Sequence, residues 1–135
     1  MDIKTSEFFK NIKKLPPKNS KEWEELCLWE REKCIGGVKI NGVDIPGILY
    51  WHLNHWFIRI DKKDNYGNII RVKSLPDLRD NEWERAEALE ECKKEQLGYI
   101  EVGLRQGGKS EWEASFAGYT ANLFDESQTV IVGGN

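Results

Sequence analysis

Gly103-Leu104-Arg105-Gln106-Gly107-Gly108-Lys109-Ser110 satisfies the pattern G-x-x-x-x-G-K-[ST] in full. The chemistry served by that pattern is phosphate binding. Glycines let successive backbone N–H groups turn inward onto an anion, the lysine adds a full positive charge, and the hydroxyl stands ready to ligate Mg²⁺. The helix predicted to start near Lys109 aims the positive end of its dipole at the same point. At ordinary residue usage an accidental match in a chain of this length arises roughly once in two hundred sequences, so chance is the weaker account.

A phosphate loop works only between a strand and a helix, and the flanking residues supply both. Tyr99-Ile100-Glu101-Val102 precedes the loop as a short apolar strand. After it, Trp112, Phe116, Tyr119 or Thr120, and Leu123 recur at spacings of three and four, which predicts a helix over 110–123 despite Gly118. The β-branched run Thr129-Val130-Ile131-Val132, closed by Gly133-Gly134, reads as a buried parallel strand. Strand, loop, helix and strand make one right-handed βαβ unit. The predicted fold is therefore α/β, the three-layer core of a P-loop NTPase, incomplete here because only the first βαβ unit is present. Leu123-Phe124-Asp125-Glu126 has the apolar-then-acidic look of a magnesium-orienting strand, but only two apolar residues precede the acids and they close the predicted helix. Sheets of this class commonly have about four to six strands, so these residues are expected to be the N-terminal part of a longer protein.

Upstream, residues 1–74 read as an N-terminal helical and β-hairpin segment, and 75–135 as the start of the ATPase domain. Phe8, Phe9, Ile12 and Leu15 suggest a short helix stopped by Pro16-Pro17. Ser20 is placed to cap a helix over 21–33 with Trp23, Leu26, Cys27 and Glu30 on one face, ended by Gly36-Gly37. Asn41-Gly42 marks a tight hairpin between Val38-Lys39-Ile40 and Val43-Asp44-Ile45. The dense aromatic run from Ile48 to Ile58 reads as a strand that continues through Arg59-Ile60, turns at Asp64 to Asn68 and returns along Ile69 to Val72. Asp80 or Asn81 is expected to cap a helix over 82–96, facing inward through Trp83, Ala86, Leu89 and Cys92 and stopped by Gly98. Arg79 then stands near the place where an adenine base lies against a phosphate loop; a cap or surface salt bridge is the competing use of the same side chain.

Composition excludes some functions. The chain of 135 residues carries a formal net charge of -3 and a pI of about 5.5, which argues against a strong nucleic-acid binder. The basic clusters, Lys10 to Lys18 and Lys62-Lys63 with Arg71 and Lys73, are interrupted by acids and read as solvated faces. Cys27, Cys34 and Cys92 fit reduced thiols, and a zinc site from Cys27, Cys34, His52 and His55 would need a C-x6-C interval wider than structural sites use. No apolar run approaches a membrane span and the N-terminus has no signal-peptide pattern, so a cytoplasmic protein is the default expectation.

Four segments in order make the chain resemble the large terminase subunit of tailed bacteriophages, the ATP-driven motor that packages DNA. They are Gly36-Gly37-Val38 through Gly47 into Ile48-Leu49-Tyr50-Trp51-His52-Leu53-Asn54; Pro76-Asp77-Leu78-Arg79-Asp80; the Arg105-Gln106-x-Gly108-Lys109-Ser110 form of the loop; and the run from Thr129 to Val132. The resemblance spans about residues 23–135. It implies ATP and Mg²⁺ as cofactors, with Lys109 neutralising the β and γ phosphates, Ser110 ligating Mg²⁺, and the loop from Gly103 through Gln106, Gly107 and Gly108 cradling the phosphate oxygens. Arg105 would sense the γ-phosphate or, on the plainer account, shape the loop through a salt bridge. Double-stranded DNA, a portal protein and the small terminase subunit are the implied partners, a homo-oligomeric ring the implied assembly, and the host cell cytoplasm the implied location. The family's catalytic glutamate and C-terminal nuclease acids do not occur in these residues, so the chain alone is expected to be at most a weak nucleotide binder. A RecA-like helicase or translocase, and a non-catalytic split-gene product, share the same loop.

Overall fold

In a computed structural model, the structure describes residue 10, residues 15–101, 109–125 and 127, with Lys109 described by its backbone. The described residues form a mixed α/β arrangement of four helices and two small antiparallel sheets. In chain order these are α1 (Lys21–Gly36), β1 (Val38–Ile40), β2 (Val43–Ile45), α2 (Gly47–Asn54), β3 (Ile58–Lys63), β4 (Ile69–Ser74), α3 (Asp80–Glu95) and α4 (Lys109–Leu123).

The local chemistry of α1 is as its sequence indicates. The Ser20 hydroxyl accepts the Trp23 N–H at 3.1 Å, and the Gly37 N–H donates to the Lys33 carbonyl at 2.9 Å to close the last turn. Its inward stripe runs through Trp23, Leu26, Glu30 and Cys34, whereas Cys27, expected on that face, is exposed. Asn41 (φ 48°) and Gly42 (φ 82°) make the left-handed hairpin turn that pairs Val38 with Ile45 and Ile40 with Val43.

The aromatic run from Ile48 departs from expectation. It is not a strand: residues 47–54 form α2, and β3 starts only at Ile58. Gly47, Ile48, Leu49, Tyr50, His52 and Leu53 are all buried, so the helix is apolar all round and occupies the centre of the molecule, touching α1, α3 and α4. A short continuous apolar run fits a buried strand and a buried helix equally well by periodicity; burial on every side decides for the helix.

Glu30 ties α1 to α2 by accepting hydrogen bonds from the Tyr50 hydroxyl at 2.7 Å and the Lys33 ammonium at 2.8 Å, with His55 Nε2 at 3.2 Å. Burial alone would raise its pKa, but the bonds from Lys33 and Tyr50 outweigh that and hold the carboxyl below its ordinary 4.5. One helical turn on, burial pushes the Cys34 thiol from an ordinary 9.0 up to about 12. In the unfolded chain that thiol ionises near 9, so between about 9 and 12 the unfolded state binds fewer protons than the folded one and stability falls as pH rises. Denaturant unfolding followed from about pH 8 to about pH 10.5 should show the loss, and Cys34→Ala should reduce it; an undiminished loss would remove Cys34 as its source.

The parallel core expected around the phosphate loop is not among the described elements. Both sheets are antiparallel two-stranded ribbons, and Tyr99, Ile100 and Glu101, expected to be a strand, pair with none. The expected strand 129–132, residues 102–108 and the expected N-terminal helix lie outside the described residues, apart from Lys10 and Leu15. α3 begins one residue earlier than its expected caps, with Arg79 at the N-cap and Asp80 and Asn81 inside the helix. Gln96 ends it in a left-handed conformation (φ 54°), two residues before the glycine expected to do so. The buried cluster joins Cys34, Leu49 and Leu53 to Trp83, Trp112 and Tyr119, so it draws on residues from both sides of position 74.

Candidate nucleotide site

α4 is the element that would carry the end of the phosphate loop, and it starts at Lys109. Its buried stripe is Trp112, Ser115, Tyr119 and Leu123; Phe116, expected in that stripe, is 38% exposed. Three side chains from α2 and its C-terminal end hold it. The Trp51 indole donates to the Ser115 carbonyl at 3.1 Å, His52 meets Trp112 edge to face at 5.1 Å between ring centres, and the Trp56 indole donates to the Glu111 carboxylate at 2.6 Å. Gly118 serves the same contact: a Cβ there would lie 2.7 Å from Trp56 Cζ3. Glycine in a helix costs about 1 kcal/mol relative to alanine, and here it admits the indole. The aromatic run thus has a purpose that its sequence does not declare, which is to fix the first turn of α4.

The start of α3 is brought to the same place. Pro76, Asp77, Arg79 and Glu82 line a cleft of about 270 Å³ together with His52, Ile58, Ile60, Leu75 and Glu111. Arg79 is exposed at the α3 N-terminus, and its backbone N–H donates to the Glu82 carboxylate at 2.9 Å. The reciprocal half of a capping box cannot form, because a guanidinium has no acceptor. The Arg79 backbone thus serves the cap, and the residue also borders the cleft. Glu82, 3% exposed, also faces buried His52, with Oε1 3.6 Å from Nε2, an ion-pair distance longer than a hydrogen bond.

A second tie holds the chain as it enters the loop. Arg85 of α3, 7% exposed, grips Glu101 with Nη2 at 2.6 Å and Nε at 2.7 Å from the same carboxylate oxygen, and the Tyr99 hydroxyl donates to the other oxygen at 3.1 Å. Glu101→Gln should destabilise the chain by about 2 kcal/mol, since it removes the counter-charge from a buried guanidinium while leaving a hydrogen-bonding shape. Chemical denaturation reads this directly, and a shift below about 0.5 kcal/mol would show that the pair does not anchor the loop entrance.

Of the residues assigned to phosphate binding, Gly103, Arg105, Gln106, Gly107 and Gly108 lie outside the described residues. Lys109 opens α4 and Ser110 follows it, exposed in the first turn. Of the cleft carboxylates, Glu111 accepts from the Trp56 indole and Glu82 from the Arg79 backbone N–H. Trp56, Glu82, Arg85, Glu101 and Glu111 were not singled out by motif, and His52 was weighed only as a zinc ligand and as part of the aromatic segment. Glu82 lies three residues after the observed cap Arg79, a spacing that caps expected at Asp80 or Asn81 did not bring out.

No family model matches the chain, and comparisons with curated proteins and with solved structures return no match. Among the described residues, no helix is long and apolar enough to cross a membrane.

Proposed function

We propose that this chain supplies the nucleotide-binding part of an ATP-driven motor of the large-terminase kind, the ATPase that moves double-stranded DNA into a procapsid. The fold meant by that reading is the P-loop core, with the loop Gly103 to Ser110 leading into α4. What supports it is one juxtaposition: Arg79, for which the sequence offers an adenine contact or a cap, borders the same cleft as Glu111, the residue directly after the Lys109-Ser110 pair. Thirty-one residues, the helix α3 among them, separate these positions along the chain.

In this reading ATP with Mg²⁺ supplies the phosphoanhydride bond whose cleavage drives movement. Lys109 neutralises the phosphates, Ser110 offers its hydroxyl to the metal ion, and the N–H groups of Gln106 to Lys109 fix the phosphate oxygens. Arg105 reaches towards the γ-phosphate. Arg79 lies along the base, where a guanidinium plane stacks and donates hydrogen bonds at once. The ring assembly, the portal protein and the small terminase subunit belong to this proposal as its expected partners.

Calorimetric titration of the chain with ATP and Mg²⁺, beside Lys109→Ala and Arg79→Ala, tests it. Loss of binding in the first, with weakened preference for ATP over other triphosphates in the second, is the expected pair of results. Equal affinity in wild type and Lys109→Ala would remove the reading.

A further inference from the structure

The β3–β4 ribbon differs from face to face and from end to end, and the strand pairing creates both differences. Arg59 lies opposite Lys73, Asp61 opposite Arg71 and Lys63 opposite Ile69, so these side chains share one face, with Ile58, Ile60, Val72, Lys62 and Ile70 on the other. Ile58 and Ile60 line the cleft beside Arg79, which makes theirs the inner face and the first the outer one. On the outer face Asp61 accepts from Arg71 Nε at 3.1 Å, and Arg59, Lys63 and Lys73 remain as surplus positive charge.

Towards the turn the pattern changes. Lys63 stands beside Ile69 and Lys62 beside Ile70, one such pair on each face, and all four side chains are exposed. Ile69 is 71% exposed, and Tyr66 at the turn itself is 90% exposed. Open apolar side chains rimmed by charge mark a surface made for another phase or another molecule, since here they add nothing to the core. Asp64, the acid of the turn, accepts the N–H groups of Tyr66 and Asn68 and so serves the turn. Lys62 and Lys63 form no ion pair among the described residues. Over residues 58–74 five cations stand against two carboxylates, a net charge of +3 in a chain whose total is -3.

We propose that the turn end of this ribbon docks on an anionic phospholipid surface, with Tyr66, Ile69 and Ile70 entering the interface and Lys62 and Lys63 holding headgroup phosphates. Charge complementarity selects an anionic surface, and the exposed apolar residues select one that has a hydrocarbon layer beneath its charge. The pairing of each lysine with an isoleucine suits that boundary: the lysine stem lies along apolar surface while its ammonium stays at the level of the phosphates. A tyrosine is at home in the same layer, its ring apolar and its hydroxyl wet. A nucleic acid would satisfy the cations alone and leave Ile69 and Ile70 in water. The contact is peripheral, and it is salt-sensitive because each cation near such a surface contributes only about fivefold in affinity. This surface lies outside the phosphate loop and is argued from different residues, so either proposal can fail alone.

The test is cosedimentation of the chain with vesicles of phosphatidylcholine containing about 30% phosphatidylserine, at about 0.05 M salt, beside vesicles of phosphatidylcholine only. Binding to the first and at least about tenfold weaker binding to the second is the expected result. Lys62→Gln/Lys63→Gln should weaken binding roughly twentyfold and flatten its salt dependence. Tyr66→Ser/Ile69→Ser/Ile70→Ser should weaken it about tenfold or more with the salt dependence kept, because no charge has changed. Lys21→Gln/Lys94→Gln, a matched loss of charge elsewhere on the surface, should stay within about twofold. Thermal unfolding identifies any variant that fails to fold; should the triple serine variant do so, Tyr66→Ser alone decides, with a loss of about threefold or more expected. The proposal is overturned if the wild-type chain does not sediment with the anionic vesicles, if it binds the neutral ones as tightly, if the control pair loses as much as Lys62→Gln/Lys63→Gln, or if the serine variants bind like wild type, which would leave a bare charge attraction that any polyanion could satisfy.

Discussion

Replacing Lys109 by alanine is expected to weaken binding of ATP with Mg²⁺ by about 2–5 kcal/mol, which is roughly thirtyfold to several-thousandfold in dissociation constant. The magnitude follows from what remains behind. A triphosphate in the loop keeps its backbone N–H donors and the dipole of α4, but it loses the only full positive charge that the motif itself guarantees. Lys109→Arg separates charge from shape: a planar guanidinium retains the charge and is too broad for a loop built around an ammonium, so it should recover only part of the affinity. Both variants should unfold within about 0.5 kcal/mol of wild type, which separates a binding defect from a folding one. A wild-type chain whose affinity for ATP equals that of the alanine variant would mean that Gly103 to Ser110 turns without holding phosphate.

Trp112→Ala is expected to destabilise the fold by about 3–5 kcal/mol. Trp112 is 2% exposed and stands in the first turn of α4, edge to face with His52 of α2. Its removal leaves a large void between the central helix and the helix that carries the loop end, at a point where neither can collapse without moving the other. Because small domains are stable by only about 5–15 kcal/mol, such a loss is a large share of the total. Phe116→Ala, one turn on and partly exposed, should cost far less. Urea unfolding of the two variants gives the comparison, and equal midpoints would show that α4 does not pack on α2 through Trp112. Trp112→Ala should also reduce nucleotide affinity without touching the ligand, since Glu111 and Trp56 hold the first turn of α4 only while that helix stays seated.

The same residues show how far a sequence can be read. Local signals held at the start of α1 and at both hairpin turns, though not at the two ends of α3. Ser20 caps α1, Asn41-Gly42 turns the first hairpin, and Asp64 accepts the N–H groups of Tyr66 and Asn68 at 2.9 and 2.8 Å to turn the second. Such contacts span two to four residues, so the information is complete within the window that encodes it. The run from Ile48 misled for the opposite reason. Its side chains are apolar on every side, and what separates helix from strand there is how many neighbours surround it, which is settled by α1, α3 and α4. The cations Lys62, Lys63, Arg71 and Lys73, read from the sequence as a solvated face, are exposed in the structure. Strand pairing then set Arg59 against Lys73 and matched Asp61 to Arg71 alone.

By itself the sequence determined the phosphate-loop pattern, the capped helix α1, the existence of α3 and α4 and the two hairpin turns, since each is written in contacts within about one or two turns of chain. Tertiary structure alone decided that the aromatic run becomes a central helix, that Arg79 and Glu111 border one cleft, that Arg85 holds Glu101 at the loop entrance, and that the ribbon's charge collects on its outer face. The physical reason is that burial and long-range pairing depend on partners many residues distant, and no local spacing records which side chains the folded chain will bring together.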